Sequence, residues 1–155
     1  MYAWRIKPRE KQRGVAMVEF AITLPLLLLL MLGTAELGRL ISQYDTLTKA
    51  VRDGARYAAS TSALGSTGLV YVTPQIQAAV ANLVATGSVN GSGSALLPGL
   101  APADITVSDA GNGYVSVSAS YTYEPMLGAT LPTFGFGSPI PLSVTLNAAS
   151  VMRAL

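Results

Sequence analysis

The sequence has no cysteine and no histidine among its 155 residues, and only 12% of its residues are charged. The two missing residue types exclude disulfide bonds, zinc sites with the usual ligands and catalytic sets built on histidine or cysteine. The carboxylates beyond residue 14 are scattered along the chain. We therefore expect a protein that is not an enzyme, with no metal, no other cofactor and no small-molecule substrate.

The few charges are unevenly distributed. Residues 1–14 carry five basic side chains and one acidic one, a net charge of +4, whereas residues 15–155 carry five basic and seven acidic side chains, a net charge of −2. A basic segment directly before an apolar stretch keeps the N-terminus on the cytoplasmic side of a membrane. This role accounts for the basic segment, so we expect no nucleic-acid partner.

A single apolar stretch follows the basic segment and is interrupted early by a carboxylate. The sixteen residues from Phe20 to Ala35 are uncharged and would form about 24 Å of helix, which is short of a hydrocarbon core of about 30 Å. If the chain were cut after Gly14 and Glu19 were neutralised, the span from Val15 to Ala35 would measure about 31 Å. The length therefore favours a paired Glu19, and the new α-amine of Val15 is the candidate partner.

The motif around this carboxylate resembles the cleavage and assembly signal of type IV prepilins. It consists of Gly14, Val15, Glu19 and Phe20 between the basic segment and the leucine-rich run. The continuation is similar to the TadE-like minor pilins (pseudopilins) of the tight-adherence (Flp) pilus system, with Glu36, Gly38 and the tripeptide 54–56 in the expected places. The resemblance is firmest over residues 13–59.

The resemblance implies a role for each residue of the motif. Gly14 would precede the bond cut by a membrane-embedded aspartic prepilin peptidase, and Val15 would become the new N-terminus. Glu19 would be the assembly carboxylate that meets the amine of a neighbouring subunit. Phe20 would be the aromatic residue that follows this carboxylate in the motif. The partners implied are the peptidase, other pilin or pseudopilin subunits and the lipid bilayer.

The same resemblance implies a location and a function. The chain would cross the bacterial inner membrane once, with a cytoplasmic N-terminus and a periplasmic C-terminal domain, and incorporation into the pilus fibre is left open. It would be a minor component in the assembly of a pilus used for surface attachment.

Two alternatives remain open for the N-terminal segment. Gly33 and Ala35 also fit a signal-peptidase site after Ala35, which would release a secreted domain. Against this, Glu19 interrupts the apolar region, and the helical period continues past the site at Leu37, Leu40, Ile41, Tyr44, Leu47 and Val51. In the second alternative, the chain is an uncleaved single-pass anchor that presents a periplasmic binding module, and Glu19 has no assembly role.

The pattern divides the chain into a basic leader (1–14), a transmembrane and projecting amphipathic helix (15–59) and a small domain (60–155). The amphipathic half of the helix needs a cover for its apolar stripe. In the domain, Pro74 opens a short helix with Thr73 as its N-cap and Gly87 as its stop. Alternating residues predict strands at 105–108, 115–123 and 141–152.

The fold class is therefore α+β: a long N-terminal transmembrane helix that continues into a small periplasmic domain with one short helix and a three-stranded antiparallel sheet. Residues 109–113 predict the hairpin turn between the first two strands, because one Asp and one Asn are too few ligands for calcium. The apolar segment from Met126 to Ile140 is broken by proline and glycine. It either folds back onto the core or exposes Phe134 and Phe136 to another subunit.

Overall fold

The computed structural model describes residues 10–63, 69–126, 128–131, 133 and 137–154, with side chains from Gly14 onward. The elements in chain order are helix α1 (Glu10–Thr61), helix α2 (Pro74–Thr86), a 3₁₀ turn (Pro102–Asp104) and strands β1 (Ile105–Gly111), β2 (Tyr114–Thr122), β3 (Thr130–Leu131), β4 (Ile140–Pro141) and β5 (Thr145–Arg153). The predicted α+β class is confirmed.

Helix α1 is the longest element, with 52 residues and a length of about 78 Å. It contains Pro25 in its interior without ending there. Its first half is apolar enough to cross a membrane, and nothing in the described part of the chain covers the most hydrophobic window. Its second half packs against the domain, so one continuous rod joins the candidate membrane span to the folded domain.

Helix α2 begins and ends where the capping residues predict. The Thr73 hydroxyl oxygen accepts a hydrogen bond from the backbone N–H of Ile76 at 3.2 Å, and Pro74 occupies the first helical position. Gly87 closes the helix in the left-handed conformation, with φ of 75°, and its N–H donates to the carbonyl of Leu83. The buried face centres on Val80 and Val84.

The main sheet has β2 in the centre, flanked by β1 and β5, and all neighbouring strands are antiparallel. The predicted hairpin turn joins β1 to β2, with Asn112 and Gly113 both at positive φ. The Asp109 carboxylate accepts the N–H of Gly111 at 2.7 Å, so this side chain serves the turn.

The last strand starts later than the sequence pattern predicts. Strand β5 begins at Thr145, because Pro141 pairs with Thr130 in a separate two-stranded sheet made of β3 and β4. Leu146 is buried in the core, whereas Val144 lies before the strand and is exposed. Proline at 141 has no N–H to donate to a central ladder, which explains the shift.

The apolar segment after Met126 both folds back and remains partly exposed. Leu131 of β3 is buried and packs over Gly33 of α1, where a Cβ added to the glycine would lie 3.8 Å from the Leu131 side chain. Met126 and Ile140, by contrast, are 76% and 49% exposed. Phe134 and Phe136, for which exposure to another subunit was the alternative, lie outside the described residues.

The core forms where α1 lies across β2 and β5 and α2 fills the space beside it. The buried face of α1 consists largely of small residues, namely Ala50, Gly54, Ala55, Ala58 and Ala59, together with Leu47 and Val51. Small side chains let the sheet and α2 approach the helix backbone closely.

The apolar stripe expected on this half of α1 is therefore only partly covered. Leu47 and Val51 are buried, but Leu37, Ile41 and Tyr44 remain exposed. The domain instead covers the neighbouring face, which starts with Glu36 and Gln43 and continues through the alanines. Close packing of small residues, rather than burial of the largest ones, sets which side of α1 the domain occupies.

We expect Gly54→Ala to destabilise the domain by about 1–3 kcal/mol, because the new Cβ would lie 2.5 Å from Val84 Cγ2 inside a packed core. Thermal unfolding of the detergent-solubilised chain, followed by circular dichroism, measures the change. Gly38→Ala is the matched control, since its Cβ meets nothing within 4 Å and gains up to ~1 kcal/mol of helix propensity. Equal melting temperatures for the two variants would contradict the packing argument.

Candidate functional site

The four residues singled out from the sequence lie on the exposed N-terminal part of α1. Gly14, Val15 and Glu19 line one shallow surface of the helix together with Val18 and Ile22. Val15 and Glu19 are one helical turn apart, about 6 Å along the axis. Phe20 is 59% exposed and is not among the residues that line this surface. The structure thus brings the predicted cleavage position and the carboxylate together.

Glu19 makes no ion pair or side-chain hydrogen bond with any residue that the structure describes, since the one ion pair found there joins Lys49 to Asp45. Besides the backbone hydrogen bonds of the helix, the carbonyl of Glu19 accepts the Thr23 hydroxyl at 3.0 Å. Leu26, Leu27 and Leu30 farther along α1 are exposed in the same way, as expected for a helix surrounded by lipid. A charged carboxylate within such a stretch costs free energy unless water, a cation or hydrogen-bond donors from outside this group of residues reach it.

The bond between Gly14 and Val15 lies inside α1, which starts at Glu10. An α-helix engages the carbonyl of residue 14 with the N–H of residue 18, so a protease would have to unwind this turn to reach the bond. Glycine at position 14 makes unwinding easier by about 1 kcal/mol relative to alanine.

A second carboxylate on α1, Glu36, is held in a different way. It is only 5% exposed, although it directly follows the apolar stretch. Its Oε1 atom accepts the Tyr123 hydroxyl at 2.5 Å and the backbone N–H of Met126 at 3.0 Å. Both donors lie just after the end of β2, so the carboxylate ties the domain to the helix where the apolar stretch ends.

A parallel contact lies two helical turns farther along the same face of α1. The Tyr121 hydroxyl lies 3.1 Å from Oε1 of the buried Gln43 and 2.9 Å from the carbonyl of Pro98, and it donates its proton to one of these acceptors. Tyr121 and Tyr123 are both fully buried and point to the same side of β2. We call Glu36, Gln43, Tyr121 and Tyr123 the tyrosine clamp.

The electrostatic setting keeps both clamp tyrosines in their protonated, donating form. Burial, and then the hydrogen bond and negative charge of Glu36, raise the pKa of Tyr123 from 10.0 to about 12. Burial and the Glu124 carboxylate raise the pKa of Tyr121, while the Arg39 guanidinium acts in the opposite direction on both groups. Each hydroxyl therefore remains a donor at neutral pH.

The clamp was not predicted from the sequence, although parts of its signal are present there. Glu36 and Gln43 are polar residues seven positions apart, which places them on one face of a helix. Tyr121 and Tyr123 alternate with polar residues on one face of a predicted strand. Their pairing depends on how the helix crosses the sheet, and neither periodicity contains that information.

We expect Tyr123→Phe to destabilise the domain by about 1–3 kcal/mol, because it leaves the buried Glu36 carboxylate with one donor instead of two. Chemical denaturation of the detergent-solubilised chain measures the change. Tyr114→Phe at the start of β2 is the control, since Tyr114 is exposed and no hydrogen bond of its hydroxyl is found among the described residues. If both variants unfold at the same denaturant concentration, the Tyr123 hydrogen bond does not stabilise the domain.

The comparison with known proteins gives a family match over the segment of α1 that contains both Glu19 and Glu36. The family model described as TadE-like protein matches residues 14–56, which begin at the predicted cleavage position and end within α1. Neither the curated proteins nor the solved structures gave a match. The C-terminal domain from β1 to β5 lies outside the matched residues. Over residues 14–56, within its N-terminal helix, the chain is therefore similar to the TadE-like family.

Proposed function

We propose that the chain is a non-catalytic, membrane-anchored minor pilin (pseudopilin) that a prepilin peptidase cuts after Gly14. It acts with other pilin subunits in the assembly of the tight-adherence (Flp) pilus and so in surface attachment. The observation that carries the proposal is the family match that begins at Gly14 and includes Glu19, a carboxylate without a partner among the described residues. The net charge of +4 in residues 1–14 supports a cytoplasmic N-terminus and a periplasmic domain.

The proposed assembly step follows from the cost of the Glu19 charge. A charged side chain within the hydrocarbon costs about 2.5–3.5 kcal/mol on insertion scales. Cleavage after Gly14 creates a positively charged amine on Val15, on the same face of the helix and within one turn of Glu19. An amine supplied by a neighbouring subunit can compensate the carboxylate in the same way. The contact would then fix the axial register of the two helices, because only one offset brings the opposite charges together.

The tyrosine clamp supports the same role for the rest of the chain. Glu19 and Glu36 are seventeen positions apart on one helix, or about 26 Å along its axis. Because Glu36 is hydrogen-bonded to the domain, the domain is held at a defined height above Glu19. A subunit positioned by Glu19 would therefore present its domain at a defined level.

An uncleaved single-pass anchor is the second candidate, and one observation favours it. Helix α1 runs without interruption through the bond after Gly14, which a peptidase would have to unwind. Release by signal peptidase after Ala35 has less support, because α1 is also continuous there and Leu131 of the domain packs on Gly33, upstream of that cut. The mass of the mature chain separates the three candidates.

We expect the membrane-extracted wild-type chain to have the mass of residues 15–155, and Gly14→Lys to retain the mass of the full chain. Intact-mass spectrometry of the protein expressed in a host with a prepilin peptidase is the measurement. Gly38→Lys adds the same charge to an exposed glycine of α1 and should be cut as the wild type is. A wild-type chain of full length would instead favour the uncleaved anchor, and a chain starting at Glu36 would favour secretion.

We expect Glu19→Leu to insert into the membrane and to be cut, yet to abolish pilus-dependent attachment in cells that rely on this chain. The reason is that leucine removes the cost of insertion together with the charge that pairs with an amine. Asp45→Leu is the control, since it removes an exposed carboxylate from the same helix beyond the apolar stretch. Attachment at the wild-type level by Glu19→Leu cells would eliminate the assembly role of this residue.

A further inference from the structure

We propose that strands β3 and β4, with Met126 and Val144 at their flanks, form a second membrane contact and lie in the leaflet where α1 leaves the bilayer. We call this group the apolar hairpin. The inference rests on the proposed membrane anchoring by α1 and adds a lipid-facing role for a part of the domain outside the family match. The supporting observations are its depth along α1, its lack of charge and its exposed apolar side chains.

The depth follows from the contact between the hairpin and α1. The buried Leu131 of β3 packs over Gly33. Gly33 lies about 27 Å along the axis from Val15 and about 21 Å from Glu19, so it remains inside a hydrocarbon core of about 30 Å whichever residue marks the inner boundary. A tilt of about 20° makes the depth along the membrane normal smaller still. A side chain that covers Gly33 therefore reaches the level of the lipid chains.

The contact continues along the next two turns of α1. Leu37 and Leu40 of the helix and Pro141, Leu142 and Val144 of the domain line an apolar cleft of about 300 Å³ between the two. Glu36 and Tyr123 also line it. Glu36, the carboxylate that lines this cleft, is hydrogen-bonded to Tyr123 and Met126, which keeps its charge away from the surrounding lipid.

The charge distribution of the domain favours lipid as the neighbour of this end. No residue between Glu124 and Arg153 is charged, so the whole hairpin enters the interface without the cost of burying an ion. The outer face of the main sheet is different, since it presents polar side chains such as Thr106, Ser118 and Asn147 to water. This part of the sheet surface is therefore polar, whereas the hairpin is uncharged and exposes apolar side chains.

Several large apolar side chains of this region have no cover within the described part of the chain. Met126 and Ile140 are exposed at the hairpin, and Val144 and Leu37 are exposed beside it. Leu37 continues the exposed apolar surface of α1 beyond the candidate span, and it lines the same cleft as Val144, so this apolar surface reaches the domain. β3 and β4 pair with each other through backbone hydrogen bonds. This pairing leaves fewer backbone N–H and C=O groups without a hydrogen-bond partner at the membrane interface.

Fluorescence quenching by brominated lipid tests the contact in the full chain. Trp4, the one tryptophan of the sequence, is replaced by phenylalanine, and single tryptophans are introduced by Ile140→Trp, Met126→Trp, Leu30→Trp or Val151→Trp. Each variant is reconstituted into vesicles of phosphatidylcholine and phosphatidylglycerol, with and without phosphatidylcholine brominated near the headgroup end of its chains. Val151 is the matched control, since it is similarly exposed but lies near the opposite end of the sheet, opposite Ser116.

We expect the brominated lipid to remove most of the emission from Ile140→Trp, Met126→Trp and Leu30→Trp and to leave Val151→Trp unchanged. Quenching of Leu30→Trp without quenching at positions 140 and 126 would overturn the hairpin contact, leave the anchor intact and point to a protein partner for this surface. Quenching of Val151→Trp to the same extent would also overturn it, because the whole domain would then adsorb to the vesicle. An unquenched Leu30→Trp would refute the membrane anchor, and the proposed function with it.

Discussion

A carboxylate removed from water needs hydrogen-bond donors or a cation, and α1 has two such groups, one at each end of its apolar stretch. Glu36 is satisfied within the chain by the Tyr123 hydroxyl and the N–H of Met126. Glu19 is not satisfied by any residue the structure describes. One residue type on one helix thus serves two purposes: Glu36 joins the domain to the helix, and Glu19 is available to an external partner.

The position of the domain on α1 depends on small residues as much as on this clamp. Alanine and glycine from Ala50 to Ala59 let α2 and the sheet pack close to the helix backbone, and Gly54 leaves no room for another carbon. The larger Leu37, Ile41 and Tyr44 remain outside this contact. The domain therefore covers the face that permits close approach, and α1 retains an exposed apolar surface beyond its lipid-facing half.

Much of the fold was predictable because it depends on local chemistry. Thr73, Pro74 and Gly87 are capping signals that act over a few residues, and the alternation around Val115 and Val117 determines which strand face is buried. The tyrosine clamp was not predictable, because Glu36 and Tyr123 are 87 positions apart and meet only through the crossing of helix and sheet. The shift of β5 to Thr145 has a similar cause, since the partner of Pro141 is a distant residue, Thr130.

The relation between the two carboxylates gives the chain a mechanical property that neither has alone. A charge pair at Glu19 would fix the height of α1 relative to a neighbouring helix, and α1 transmits that height over about 26 Å because the helix continues between the two carboxylates, although Pro25 removes one backbone hydrogen bond. The clamp passes it to the domain through a donor whose pKa of about 12 keeps it protonated at any physiological pH. The apolar hairpin would add a second constraint at the membrane surface, since rotation of the domain away from the lipid would expose its uncharged segment to water. Height and tilt of the domain would then be set by different parts of the chain, the height by Glu19 and the tilt by the hairpin.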